Sequence, residues 1–129
     1  MKEIENRADI NLLVITFYNE VRKDALLGPI FNHHLKAEQW PPHLEKLTDF
    51  WVTALLGDVC FKGNPTKAHL KVDKHLKHTM SQEHFGQWLQ IWFQTIDSLY
   101  VGELAQRAKD ASRRMATGQY LNVWKSREV

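Results

Sequence analysis

The stretch Pro41-Pro42-His43-Leu44-Glu45-Lys46-Leu47-Thr48-Asp49-Phe50-Trp51 decides the fold of this chain. A proline pair suits the first turn of a helix, because the N–H groups that it lacks would have no partner there. Behind it, apolar residues recur at intervals of three and four, which is the spacing of one helix face. Gly57 is placed to end the helix. The face predicted in this way contains His43, Leu47, Phe50 and Ala54.

The segment that precedes this helix is also predicted to be helical. Apolar residues at helical spacing predict a first helix with a cap at Asp9 or Asn11 and an end near Lys23. A short helical turn, broken by Gly28-Pro29, is expected next. Residues 33–39 read as a polar loop that leads into the central helix.

Helical patterns also follow the central helix, and no strand is expected. A short helix after Asn64-Pro65 carries a second histidine, His69. Ser81 is a good cap for the most strongly patterned helix of the chain, and Gly102 separates that helix from a last one, which Gly118 ends or interrupts. No segment shows the alternation of a β-strand. The fold class predicted from the sequence is therefore all-α.

Length, charge and cysteine content narrow the class of protein. A chain of 129 residues is expected to form one domain over 1–129, with flexible ends at 1–8 and 125–129. The net charge of +2 implies no nucleic-acid partner, and no run of apolar residues is long enough to cross a membrane. A single cysteine, Cys60, and a charged N-terminus without a signal-peptide pattern favour a cytoplasmic location.

The two histidines on separate helices suggest a cofactor. Imidazoles on different elements can face each other across a flat group, and haem is the commonest ligand held in this way. In this hypothesis His69 binds the iron. Tyr18, His43 and Trp88 supply polar groups on the opposite side, each able to donate a hydrogen bond worth ~1–3 kcal/mol to a bound ligand. The alternative is that these residues only pack in the core, as most histidines and tryptophans on apolar helix faces do.

The motifs of the chain, taken in order, resemble those of the third group of truncated haemoglobins. The resemblance covers nearly the whole chain. It rests on Phe17-Tyr18 with Val21-Arg22, Leu27-Gly28-Pro29-Ile30-Phe31, Trp40-Pro41-Pro42-His43, Thr48-Asp49-Phe50-Trp51, Phe61-Lys62-Gly63-Asn64-Pro65 before His69, Glu83-His84-Phe85, Trp88-Leu89 and Ile96-Asp97.

This resemblance implies a shortened globin fold, a helical sandwich that encloses haem b with five-coordinate iron. His69 would be the proximal ligand, although His75 and His78 leave the register open. Tyr18, His43 and Trp88 would contact the bound ligand. The residues expected to contact the haem are Phe31, His43, Leu47, Phe50, His69 and Trp88. Basic candidates for the haem propionates are Lys62, Lys67, Lys71 and His84.

The expected ligands are O2, NO, CO, cyanide or peroxide. Tight retention of O2 argues against simple oxygen delivery and leaves room for NO dioxygenase or peroxidase-like activity, with electrons from an unidentified reductase. The competing class is a haem-free helical sensor or protein-interaction module, in which Phe50, Trp88 and Trp92 are plain core. A zinc site is weaker still, because Cys60 and the scattered histidines lack the spacing of zinc ligands.

Overall fold

The computed structural model describes residues 2–57 and 82–127, with side chains over 2–33, 35–57 and 83–116. Within these ranges the chain is helical and contains no strand, apart from an isolated bridge between Lys2 and Tyr100. The all-α prediction is confirmed. The helices are α1 (Arg7–Lys23), α2 (Gly28–His34), α3 (Trp40–Leu56), α4 (Gln82–Leu99) and α5 (Glu103–Arg127), and a 3-10 turn covers Ala37–Gln39.

Helix α1 begins earlier than the sequence predicted. Its cap is Asn6, whose side-chain oxygen accepts the Asp9 backbone N–H at 3.1 Å. The expectation of a cap at Asp9 or Asn11 was wrong. The Asp9 carboxylate lies in the first turn instead, where it accepts the Glu5 backbone N–H at 2.9 Å. The predicted end at Lys23 is correct.

Gly28-Pro29 starts a helix rather than breaking one. Pro29 stands in the first turn of α2, where its missing N–H costs nothing. Helix α2 lies so close to the end of α1 that a Cβ on Gly28 would be 2.7 Å from the Arg22 carbonyl oxygen. The expected polar loop over 33–39 is partly wrong, because α2 extends into it and the turn Ala37–Gln39 is helical.

Helix α3 runs as predicted and ends at Gly57, which adopts a left-handed conformation with φ 81°. Its predicted apolar stripe, which Leu44, Trp51 and Leu55 were expected to widen, is not buried evenly. Trp51, Val52 and Leu55 point into the core with Thr48, whereas His43, Leu47 and Phe50 are half-buried and Ala54 is exposed. The Thr48 hydroxyl is satisfied, because it donates to the Leu44 carbonyl at 2.8 Å and accepts from Asn11 at 3.1 Å.

Helices α4 and α5 form an antiparallel pair. Ser81, the expected cap of α4, lies outside the described residues. Trp92 of α4 is fully buried, and its indole N–H donates to the Ala108 carbonyl of α5 at 3.3 Å. The expectation that Gly118 ends or interrupts the last helix was wrong, because α5 continues through it to Arg127. One glycine inside a long helix costs only ~1 kcal/mol.

The N-terminal segment is joined to the helices. Ile4 is buried, and the Val101 backbone N–H donates to the Lys2 carbonyl at 3.0 Å. The Tyr100 hydroxyl donates to the Asp9 carbonyl at 2.7 Å. Part of the segment 1–8, which we expected to be flexible, is therefore held against the junction of α4 and α5. Over the described ranges, none of the helices is apolar enough over sufficient length to cross a membrane.

Candidate functional site

Tyr18 is the centre of an aromatic cluster that three helices build. Its side chain leaves the middle of α1 and is only 7% exposed. Its ring centroid lies 6.0 Å from that of Phe31 on α2, 5.8 Å from that of Trp40 and 5.9 Å from that of His43, both on α3. The structure therefore brings together Tyr18, His43 and Phe31, which the sequence had only proposed as neighbours.

Trp88 of α4 completes this group by a hydrogen bond to the Tyr18 side chain. An indole N–H can only donate, so the phenol oxygen accepts and its own hydrogen is not used in this bond. Burial raises the pKa of Tyr18 to about 12, against a smaller lowering by the Trp88 bond. The hydroxyl therefore keeps its proton over the whole physiological range.

Stacked indoles hold Trp88 in place. Its ring lies nearly parallel to that of Trp92, with 17° between the planes and 6.0 Å between centroids. Trp92 in turn stacks on Trp51 of α3 at 4.8 Å. Phe17 stands edge-on to Trp88 at 5.4 Å. Because aromatic contacts of this kind have preferred geometries, the contacts with Trp92 and Phe17 set the plane of Trp88.

A half-buried apolar surface extends from the cluster along α3. His43, Leu47 and Phe50 are spaced by four and three residues, so they share one side of the helix. Leu47, Phe50 and the α2 residue Phe31 pack against the core with only part of their surface covered. This half-buried side of α3 could receive a flat apolar group.

Trp40 and Arg22 belong to the cluster, and the sequence reasoning missed their part in it. The Trp40 ring centroid lies 5.6 Å from that of His43. The Arg22 guanidinium lies over the Trp40 ring, 4.5 Å from the same Trp40 centroid. Asn32 fixes Arg22 by accepting from its Nε at 3.1 Å and donating to its carbonyl at 3.0 Å. The signal was present in the sequence, because Trp40 precedes His43 by one helical turn.

The predicted metal ligand lies outside the described residues. His69 falls in the segment 58–81, as do His75 and His78 and the basic candidates Lys62, Lys67 and Lys71. Of the propionate candidates only His84 is described, and it is half-buried. Among the described residues no group of three or more metal-binding side chains occurs. The site as described therefore consists of the aromatic cluster around Tyr18 and the adjoining side of α3.

Comparison with known proteins gives a clear relationship, although no family model matches the chain. The group 3 truncated haemoglobin ctb of Campylobacter jejuni is 36% identical over 104 residues, which are 79% of this chain and 78% of that protein. The crystal structure of the group III truncated haemoglobin from Campylobacter jejuni superposes with a TM-score of 0.84 at 32% identity, over 98% of each chain. The truncated globin fold expected from the sequence is confirmed, and the chain belongs to the group 3 truncated haemoglobin family.

Proposed function

We propose that this protein is a haem globin that binds O2 and other diatomic ligands. His69 binds the iron of haem b as the proximal ligand, and Tyr18, His43 and Trp88 surround the ligand on the other side. Membership of the family supports haem and small-ligand binding. The observation that carries the proposal is the buried Tyr18 hydroxyl, bonded to Trp88 and set against His43.

The described residues fit a haem. A flat, largely apolar porphyrin needs apolar side chains that are only partly covered by protein, and Phe31, Leu47 and Phe50 meet that need. A core that was packed solid would have buried them. The haem, when bound, supplies the iron that takes the diatomic ligand. The alternative function, a haem-free module, does not explain the half-buried apolar face of α3.

Tyr18 acts as a hydrogen-bond donor to the ligand. Because the bond with Trp88 uses only the oxygen of Tyr18, the hydroxyl hydrogen can be donated to the ligand, and a pKa of about 12 keeps that hydrogen in place. A bond of this type to a ligand with partial negative charge contributes ~1–3 kcal/mol. We expect it to slow ligand release by about ten- to a hundredfold.

Slow release favours chemistry on the ligand over its transport. Donors that are fixed before the ligand arrives stabilise developing negative charge without reorganisation. Tyr18 is fixed by burial and by its bond with Trp88, whose ring is stacked on Trp92. We therefore favour NO dioxygenation or a peroxidase-like reaction. Either reaction requires electrons from an external reductase.

The absorption spectrum of the purified protein tests the proposal. We expect a Soret band that is lost in His69→Ala and kept in His75→Ala and His78→Ala, the matched controls from the same segment. A colourless protein that is folded and does not take up added hemin would support the haem-free module instead. Retention of the band in His69→Ala, with its loss in one of the two controls, would move the proximal ligand to that residue.

A further inference from the structure

Trp40 contains a buried donor that nothing in the described structure accepts. It is the first residue of α3, and its side chain is 3% exposed. Its Nε1 is the one buried side-chain nitrogen or oxygen without a hydrogen-bond partner among the described residues. Buried polar groups are almost always hydrogen bonded. The missing partner of this indole therefore needs an explanation.

The surroundings of Trp40 place it beside the proposed ligand pocket. Its ring contacts both Tyr18 and His43, at centroid separations of 5.8 and 5.6 Å. These are two of the three residues that we place around the ligand. Trp40 therefore lies beside the proposed pocket. The sequence analysis did not include it among the polar residues of the pocket.

The chemistry of the site defines what can bind there. An indole N–H donates and cannot accept, so its partner must carry a free lone pair. The Arg22 guanidinium, 4.5 Å from the ring centroid, adds positive charge nearby and favours an acceptor with negative charge. In a haem globin two sources provide such an oxygen, namely a diatomic ligand polarised by binding and a carboxylate of the porphyrin.

We propose that Trp40 is a further donor of the pocket, and that its Nε1–H binds a negatively polarised oxygen that arrives with the cofactor or its ligand. This inference rests on the proposed function. The unpaired donor destabilises the protein without haem, and the hydrogen bond that forms when haem or its ligand binds removes this destabilisation. Trp40 therefore contributes to specificity for the loaded state rather than to the stability of the empty one.

The Trp40→Phe variant tests the proposal, since it keeps an aromatic ring beside Arg22 and removes only the donor and part of the indole. If the ligand is the acceptor, we expect O2 or CO release to become about tenfold faster, the factor that corresponds to a hydrogen bond of ~1.4 kcal/mol. Tyr100→Phe is the matched control. Tyr100 is also 3% exposed and loses one donor on substitution, but it lies at the junction of α4 and α5. Its release rates should stay at the wild-type value.

Porphyrin binding distinguishes the second source. If a propionate is the acceptor, wild type should prefer protoporphyrin over its dimethyl ester by about tenfold more than Trp40→Phe does, with release rates unchanged. Equal release rates together with equal ester discrimination in wild type and variant would overturn the proposal. Absence of porphyrin binding in wild type would instead refute the proposed function, so the two failures are distinguishable.

Hydrogen exchange on the wild-type protein keeps the test valid if Trp40→Phe does not fold. The indole N–H resonance of Trp40 can be assigned through its proximity to the Tyr18 and His43 rings. We expect its exchange with solvent to slow by about tenfold on loading with zinc protoporphyrin or with CO-ligated haem, because a bonded hydrogen must first break its bond to exchange. An exchange rate that neither loading changes would overturn the proposal.

Discussion

Replacing Tyr18 by phenylalanine is the most informative single change in this protein. The ring contacts with Phe31, Trp40 and His43 do not involve the hydroxyl, so the packing of the cluster should survive. The substitution removes two things at once. It removes the donor that we assign to the ligand, and it removes the acceptor of the Trp88 indole N–H.

The structure sets the size of both effects. Since Tyr18 is 7% exposed, water cannot readily replace its hydroxyl beside a ligand. We expect Tyr18→Phe to lose ~1–3 kcal/mol of ligand stabilisation, or about ten- to a hundredfold in release rate. The unloaded protein should lose only ~1 kcal/mol, because Trp88 is half-buried and its N–H can find water.

Stopped-flow displacement of O2 by excess CO measures the release rate, and thermal unfolding of the unloaded protein measures stability. A double-mutant cycle with Trp88→Phe then tests the hydrogen bond between the two residues. Because each single change disturbs the partner, the effects should be non-additive by ~0.5 kcal/mol or more. Unchanged release rates in both single variants would refute the role of Tyr18 and Trp88, and strict additivity would refute their coupling.

Four further changes test the physical account of the fold: a rise in pH and three substitutions. Because the pKa of Tyr18 is raised to about 12 in the folded state, the unfolded chain ionises first as pH rises above 10. Stability should therefore fall between pH 10 and 12, by about 3 kcal/mol for this group, and Tyr18→Phe should reduce that fall in alkaline denaturation curves. Gly28→Ala should destabilise by ~2 kcal/mol or more, since its Cβ meets the Arg22 carbonyl, whereas Gly86→Ala, with nothing within 4 Å, should stabilise by ~0.5–1 kcal/mol in urea unfolding. Thr48→Val should lower stability by ~1 kcal/mol with ligand release unchanged, because Asn11 loses its acceptor away from the pocket.

The helices were predicted well where the spacing of apolar residues agreed with the positions of proline and glycine at the helix ends. Helix α3 begins at Trp40, just before the proline pair, and ends at Leu56 with Gly57 as its cap, because proline and glycine act on the backbone directly. Caps were predicted less well. Asn6, Asp9 and Asn11 are all good cap residues, and what selects Asn6 is the engagement of the Asp9 carboxylate with the preceding segment.

The site was predicted as a set of residue types rather than as a geometry. Spacing put His43, Leu47 and Phe50 on one side of α3, but it did not show that this side is only half-buried, since burial depends on which helix lies opposite. The contacts of Tyr18 with α2 and α3 arise from helix crossings that no local pattern encodes. Trp40 was missed for the same reason, because its unpaired nitrogen is a property of the packed structure.

The stack formed by Trp51, Trp92 and Trp88 provides an intrinsic fluorescence probe of cofactor binding. Three emitting rings lie in series, with centroid separations of 4.8 and 6.0 Å, and the series ends at the residue that hydrogen bonds to Tyr18. Haem absorbs where tryptophan emits, so excitation anywhere along the series should be lost to a porphyrin held beside Trp88. The intrinsic fluorescence of the unloaded chain should therefore fall in proportion to the hemin that it takes up, which allows cofactor occupancy to be followed without any label.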